Sequence, residues 1–271
     1  MSEHRSSRDN IEGLTVKGLN MKKWTEIETG KTHSAFQHIM VALGEKADGV
    51  VDRINTDPAF AKRLAAYAIN EDLEPVLSPI RAQQIMGKNF FGFEEAVEHL
   101  GISPTCRQFV ALWRIPFTEA VLQQCTDTHI LVAVFPLSIL EIRGKDSTLF
   151  HRQEWYDEES FATERGEVNW RLVRKTPVGN SLSYNWSDQQ ALISKDDEVP
   201  TAQVMVYTII GHFLATGERL FEKVYVHTSS VDSDGGHVSV GGFLARGLYV
   251  SNGWVGSCGD CLGIASARKF N

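Results

Sequence analysis

Apolar residues recur at helical intervals up to about residue 127, and at alternating or continuous strand-like positions beyond it. Helices are therefore expected first and strands afterwards. Ser34 to Leu43 is helix-like. Asp57-Pro58 supplies an N-cap and a favourable first-turn proline ahead of AFAKRLAAYAIN, where Phe60, Leu64 and Tyr67 share a face. Ser78-Pro79 repeats the start signal, and Gly87 suits a left-handed stop. Ser103-Pro104 opens another helix with Phe109, Leu112 and Trp113 on one side, and Thr118-Glu119 opens a short one through Cys125. Residues 34–126 thus read as five or six short helices.

Beyond residue 128, His129 to Phe135 is an apolar run of strand length, suited to a buried strand. Ile139 to Arg143 is expected to extend or pair with it. Residues 168–174 alternate, as a half-buried strand would. Ser187 with Gln190 has the spacing of a capping box. Thr201 to Thr216 predicts a long helix that is apolar on more than one face and stops at Gly217. Val224, Val226 and Thr228, then Val238 and Val240, then Leu248 and Val250, mark a meander. Asp234-Gly235-Gly236 and Asn252-Gly253 are its turn signals. The predicted class is α+β: an N-terminal helical cluster packed on a mainly antiparallel C-terminal sheet, with one long buried helix. The expected divisions are a mobile tail over 1–20, a helical region over 21–127 and a sheet region over 128–271 that includes helix 201–216. The two regions are expected to fold as one unit.

Composition narrows the function classes. The chain has 271 residues, 42% hydrophobic, with 27 basic and 34 acidic side chains and a net charge of −7. The charge is even between the halves: 14 against 17 before residue 128, and 13 against 17 after it. A protein built to coat nucleic acid is usually basic, so nucleic acid is disfavoured as a partner. The most apolar stretch, Ile130 to Leu140, is about half the length of a membrane span and contains Pro136. The N-terminus is polar and lacks the apolar core of a secretory signal. Four cysteines do not make a disulfide framework in a chain this long. A cytoplasmic protein is expected, with a protein or small molecule as partner and no membrane.

Several constellations bear chemistry. FEEAVEHLGISPTCRQFVALWRI, residues 93–115, has the outline of a helix-turn-helix. Thr105, Arg107 and Gln108 would then face base edges, although Glu94, Glu95 and Glu98 oppose phosphate contact and plain helix packing accounts for the same pattern. Cys258-Gly-Asp-Cys261 is a CxxC that offers two zinc ligands without a second pair; Cys106, Cys125 and His129 would have to come from elsewhere in the fold. Asp232-Ser-Asp234-Gly235 reads as a turn, since the later ligands of a calcium loop are missing. Gly30-Lys31-Thr32 lacks the earlier glycine of a phosphate loop. His151, Glu154 and Glu158 would share one face of a helix and could hold a metal or transfer protons; a solvated acidic surface is the plainer reading. His212 lies inside the apolar helix, and His227 within the meander. These histidines with Glu154 are the catalytic candidates. No cofactor is predicted, and zinc at Cys258 and Cys261 is the open alternative.

The stretch Phe90 to Arg143, especially FTEAVLQQCTDTHILVAVFPLSILEIR, resembles a family of uncharacterised bacterial proteins. The resemblance continues through TAQVMVYTIIGHFLATGERLFEKVYVHTSSVDSDG and the final ASARKF. It implies a bacterial, intracellular protein and brings no catalytic residues with it. The reading favoured is a non-enzymatic binding or regulatory protein. The alternatives are a DNA-binding regulator and an enzyme, metal-dependent hydrolases included, with a site gathered from scattered His and Glu.

Overall fold

The computed structural model describes residues 37, 39–41, 43–61, 77–253 and 259–270. The tail 1–20, Gly30-Lys31-Thr32, Leu64, Tyr67 and Cys258 lie outside the described residues. The chain divides into two compact units, residues 1–61 and 62–271. In the first, a 3-10 turn at Gly44–Lys46 runs into α1 (Ala47–Thr56). Asp57 then starts a new turn, its carboxylate accepting from the backbone of Ala59 and Phe60, each at 3.0 Å. The Arg53 guanidinium sits 4.4 Å from the Phe60 ring centroid.

The second unit is α+β, as expected, but its strands form two sheets. The first consists of β1 (Phe90–Phe91), β2 (His129–Val134), β3 (Asn169–Arg174), β4 (Asp197–Glu198) and β9 (Ala267–Arg268), in the order β1-β2-β3-β9-β4. Only the β1–β2 pair is parallel. The second consists of β5 (Tyr225–Val231), β6 (His237–Leu244), β7 (Gly247–Gly253) and β8 (Leu262–Ile264), in the order β7-β6-β5-β8. Here β5 and β8 are parallel. Because Phe90 and Phe91 pair with Leu131 and Val132, the change of pattern near residue 128 is not a break in this unit.

The helices of this unit are α2 (Pro79–Met86), α3 (Phe93–Leu100), α4 (Cys106–Ala111), α5 (Glu119–Cys125), α6 (Ile139–Lys145), α7 (Ser160–Thr163), α8 (Trp186–Ala191) and α9 (Ala202–Thr216). α9 packs on β1 and β2 of the first sheet and on β5 and β6 of the second. Every residue from Ala202 to His212 is buried, which is why its sequence is apolar all round. Thr201 caps its start by accepting from Val204 N at 3.3 Å. Gly217 ends it at φ 73°, a left-handed conformation that favours glycine. Gly211 is required by space: a Cβ there would lie 2.9 Å from the Phe91 ring. β1 and α9 can approach only because that side chain is absent.

Four local expectations change. Ile139 to Arg143 is helix α6, not strand, because Ser138 and Glu141 cap each other's backbone at 2.9 and 3.1 Å. α8 begins two residues before the Ser187–Gln190 box, with Asn185 accepting from Asp188 N at 3.1 Å. α4 begins at Cys106 behind Thr105, not at Pro104. Asn252 and Gly253 stay in β7 opposite Val238 and His237, and the β6–β7 reversal falls at residues 245–246. Among the described residues no helix is long and apolar enough to cross a membrane.

Candidate binding cleft

α2 and α5 pack side by side, each opened by a hydroxyl cap: Ser78 to Arg81 N at 3.2 Å and Thr118 to Val121 N at 3.3 Å. The segment between α4 and α5 is fastened to the residue before the α2 cap by Ile115 N donating to Leu77 O at 3.2 Å. It is also held to the first sheet, where Trp170 Nε1 donates to Leu112 O at 2.9 Å and Phe117 meets Phe270 at 5.6 Å between ring centroids. These connections leave a cleft of about 1010 Å³ bordered by α2, this segment, the start of α5 and the last described strand, β9. Its floor is apolar, with Leu77, Ile115 and Phe117 buried.

Charge on the lining is one-sided. Arg81, Arg114, Arg268 and Lys269 line the cleft against a single carboxylate, Glu119. Glu119 is paired with Arg81 through two hydrogen bonds, Nε to Oε2 at 3.1 Å and Nη2 to Oε1. That guanidinium holds the Glu119 carboxyl below its usual range, and the pairing raises Arg81 in turn. Arg268 Nη1 donates to Asp197 Oδ1 at 3.2 Å, and Lys269 Nζ donates to the Lys195 carbonyl at 3.0 Å. Arg114 is exposed and has no partner among the described residues. On a chain of net charge −7 this is a local reversal of sign.

Arg268 also acts electrostatically on two buried groups, Cys125 at the end of α5 and His129 on β2. Burial pushes the Cys125 thiol up, so it is held as thiol. Burial, with Arg174 opposite in register, pushes His129 down to about 4. The His129 ring meets Thr128 Oγ1 at 2.8 Å through Nδ1. A buried thiol held protonated is not an activated nucleophile.

The residues singled out by sequence lie apart from this cleft. His151, Glu154 and Glu158 share no helical face, because residues 151–158 form coil and turns. That path is set by Trp155 Nε1 donating to Val250 O at 3.0 Å and by Arg143 holding Gln153 O and Asp157 at 3.0 and 2.7 Å. The His151 ring instead stacks on Tyr249, centroids 3.8 Å apart, and Glu154 is exposed. His212 is a buried residue of α9. Burial lowers it, and its Nε2 stands 3.5 Å from Glu218 Oε2, which accepts from Lys88 Nζ at 2.7 Å. Cys106 and Cys261 are exposed, and among the described residues no three of His, Cys, Asp and Glu gather into a metal group. His227 is buried on the second sheet.

Over 93–115, α3 ends at Gly101 in the left-handed conformation and α4 spans six residues. Thr105 accepts from Gln108 N at 3.3 Å and Gln108 Oε1 accepts from Thr105 N at 2.9 Å, so the polar atoms expected at base edges are engaged in capping. Arg107 is exposed on α4. The cleft itself was not found from sequence. Its cations run from Arg81 to Lys269, and only the pairing of β9 within the first sheet brings them together. No family model matches the chain, and no curated protein or solved structure matches it.

Proposed function

We propose that this protein is a non-catalytic binding protein whose cleft takes an acidic, partly apolar segment of a partner protein. The observation that carries this is the lining: four cations against one carboxylate around an apolar floor, on a chain that is otherwise acidic. Carboxylates of a partner would meet Arg114, Lys269 and the nitrogens of Arg268 that Asp197 leaves unbonded, while its apolar residues would cover the half-buried Pro116 and Val121. Charge of this kind sets on-rate and partner choice, and contact with the half-buried Pro116 and Val121 adds affinity. The volume lies at the upper end of small-molecule sites and suits a short extended peptide. The floor aromatic, Phe117, is 5% exposed and offers no open face for stacking bases, which favours carboxylate ligands over single-stranded nucleic acid.

A fluorescein-labelled peptide of alternating Glu and Leu tests this by anisotropy. Binding at low salt is expected, weakened by added salt and weakened at least tenfold by combined Arg114→Glu and Lys269→Glu. No binding, or equal binding by that variant, refutes the reading. Tighter binding of a single-stranded oligonucleotide than of the peptide transfers the cleft to nucleic acid.

A further inference from the structure

The second sheet carries a polar cluster that the cleft does not use. His227 on β5 is fully buried, and Gln189 of α8 decides which of its nitrogens holds the proton. The Gln189 amide nitrogen donates to the carbonyls of Ser181 at 2.9 Å and Leu262 at 3.0 Å. Its oxygen is thereby fixed toward His227 Nδ1, 2.7 Å away. An amide oxygen only accepts, so Nδ1 carries the proton and Nε2 keeps a lone pair. That Nε2 is buried with no hydrogen-bond partner. On the adjacent strand β6, Nδ1 of His237 is likewise buried and unpartnered. The two ring centroids are 6.3 Å apart. Trp186 lies flat on His237, centroids 3.6 Å apart, and edge-on to His227 at 5.7 Å.

We propose that His227 and His237 form a two-imidazole site for a borderline-soft transition-metal ion such as Zn²⁺ or Cu²⁺, walled by Trp186. A metal–nitrogen bond of about 2.0–2.1 Å, plus ~1.2 Å from nitrogen to ring centre, places two rings that share an ion about 5–6.5 Å apart. The observed 6.3 Å lies at the wide end of that span, where the two nitrogens stand nearly opposite each other across the ion, an arrangement that suits tetragonal Cu²⁺ better than tetrahedral Zn²⁺. Gln189 does what an outer partner of a metal-binding histidine does: it fixes the tautomer and aims the lone pair. Burial holds both rings below the ordinary histidine range, His227 at about 4, so both are in the neutral, ligating form at neutral pH. No third His, Cys, Asp or Glu joins them among the described residues, so solvent completes the coordination and the affinity is that of two ligands. His237 and Trp186 are only half-buried, which gives the ion an approach.

The test is calorimetric titration of the full chain with Zn²⁺ and then Cu²⁺ at neutral pH, after chelator treatment and blocking of the thiols. One equivalent binding tighter than about 100 µM is expected. The Cu²⁺ form should show two coordinated nitrogens by electron paramagnetic resonance. His237→Ala, at a half-buried position, should weaken binding at least tenfold, and His227→Gln likewise. Failure to saturate below about 1 mM would mean that the two nitrogens hold only a water, and overturns the proposal. Undiminished affinity in His237→Ala overturns it even if His227→Gln does not fold.

Discussion

The two sheets that share α9 handle polar side chains in opposite ways. The first lends Arg268, on β9, to a cleft that gathers positive charges on a surface open to water, over an apolar floor. The second buries neutral imidazoles and an amide, each oriented by a neighbour. Exposed guanidinium and ammonium groups keep their charge at little desolvation cost, and they recognise charge at long range. Buried imidazoles lose theirs, and they recognise only what reaches a lone pair. The comparison teaches that a count of histidines and carboxylates along the chain says little about which will act. Environment decides, and the environment is built by β9 at one sheet and α8 at the other.

The largest expected effect of a single substitution breaks the element common to both. Gly211→Val would drive a side chain into the Phe91 ring and should destabilise by about 3 kcal/mol, read from the urea midpoint. An unchanged midpoint would mean that α9 does not join the sheets as described. Next is acid. His129 in the first sheet and His227 in the second have folded values of about 4 against the ordinary 6.5. Between those limits the unfolded chain binds more protons. Stability is therefore complete above about pH 6.5 and falls as pH drops toward 4, by up to ~3 kcal/mol for each group. His227→Gln should flatten part of that slope; an equally steep profile would assign it elsewhere.

Smaller effects separate the cleft from the rest. Arg114→Glu should weaken acidic-peptide binding by about tenfold, roughly 1.4 kcal/mol, with the thermal midpoint unchanged because the residue is exposed. Asp197→Asn should release Arg268 and tighten the same peptide by about two- to threefold. Weaker binding in that variant would show that Asp197 aligns Arg268 rather than competing for it.

Elements with strong local signals were legible in the sequence. Thr201 and Gly217 bracket α9, Thr118 opens α5, and the apolar run at His129 is a buried strand. Ile139 to Arg143 misled because a short apolar run fits strand or helix alike, and the Ser138–Glu141 cap decides between them. Asn252-Gly253 misled because a hairpin dipeptide competes with the ladder, and here pairing with β6 prevails. The cleft had no local signature, since its cations meet only through the pairing of β9. The histidine pair was half legible. His227 and His237 flank the Asp234-Gly235-Gly236 turn, so a hairpin reading places them on adjacent strands. Trp186 and Gln189, which orient them, come from a distant helix.

The most direct measurement is a ¹⁵N chemical-shift titration of the protein with the Glu/Leu peptide. Amide shifts should concentrate at Arg81, Ile115, Phe117, Val121, Arg268 and Lys269 and leave Trp186, His227 and His237 unmoved. Shifts centred on the second sheet, or spread evenly over the surface, would contradict the assignment of the cleft as the binding site.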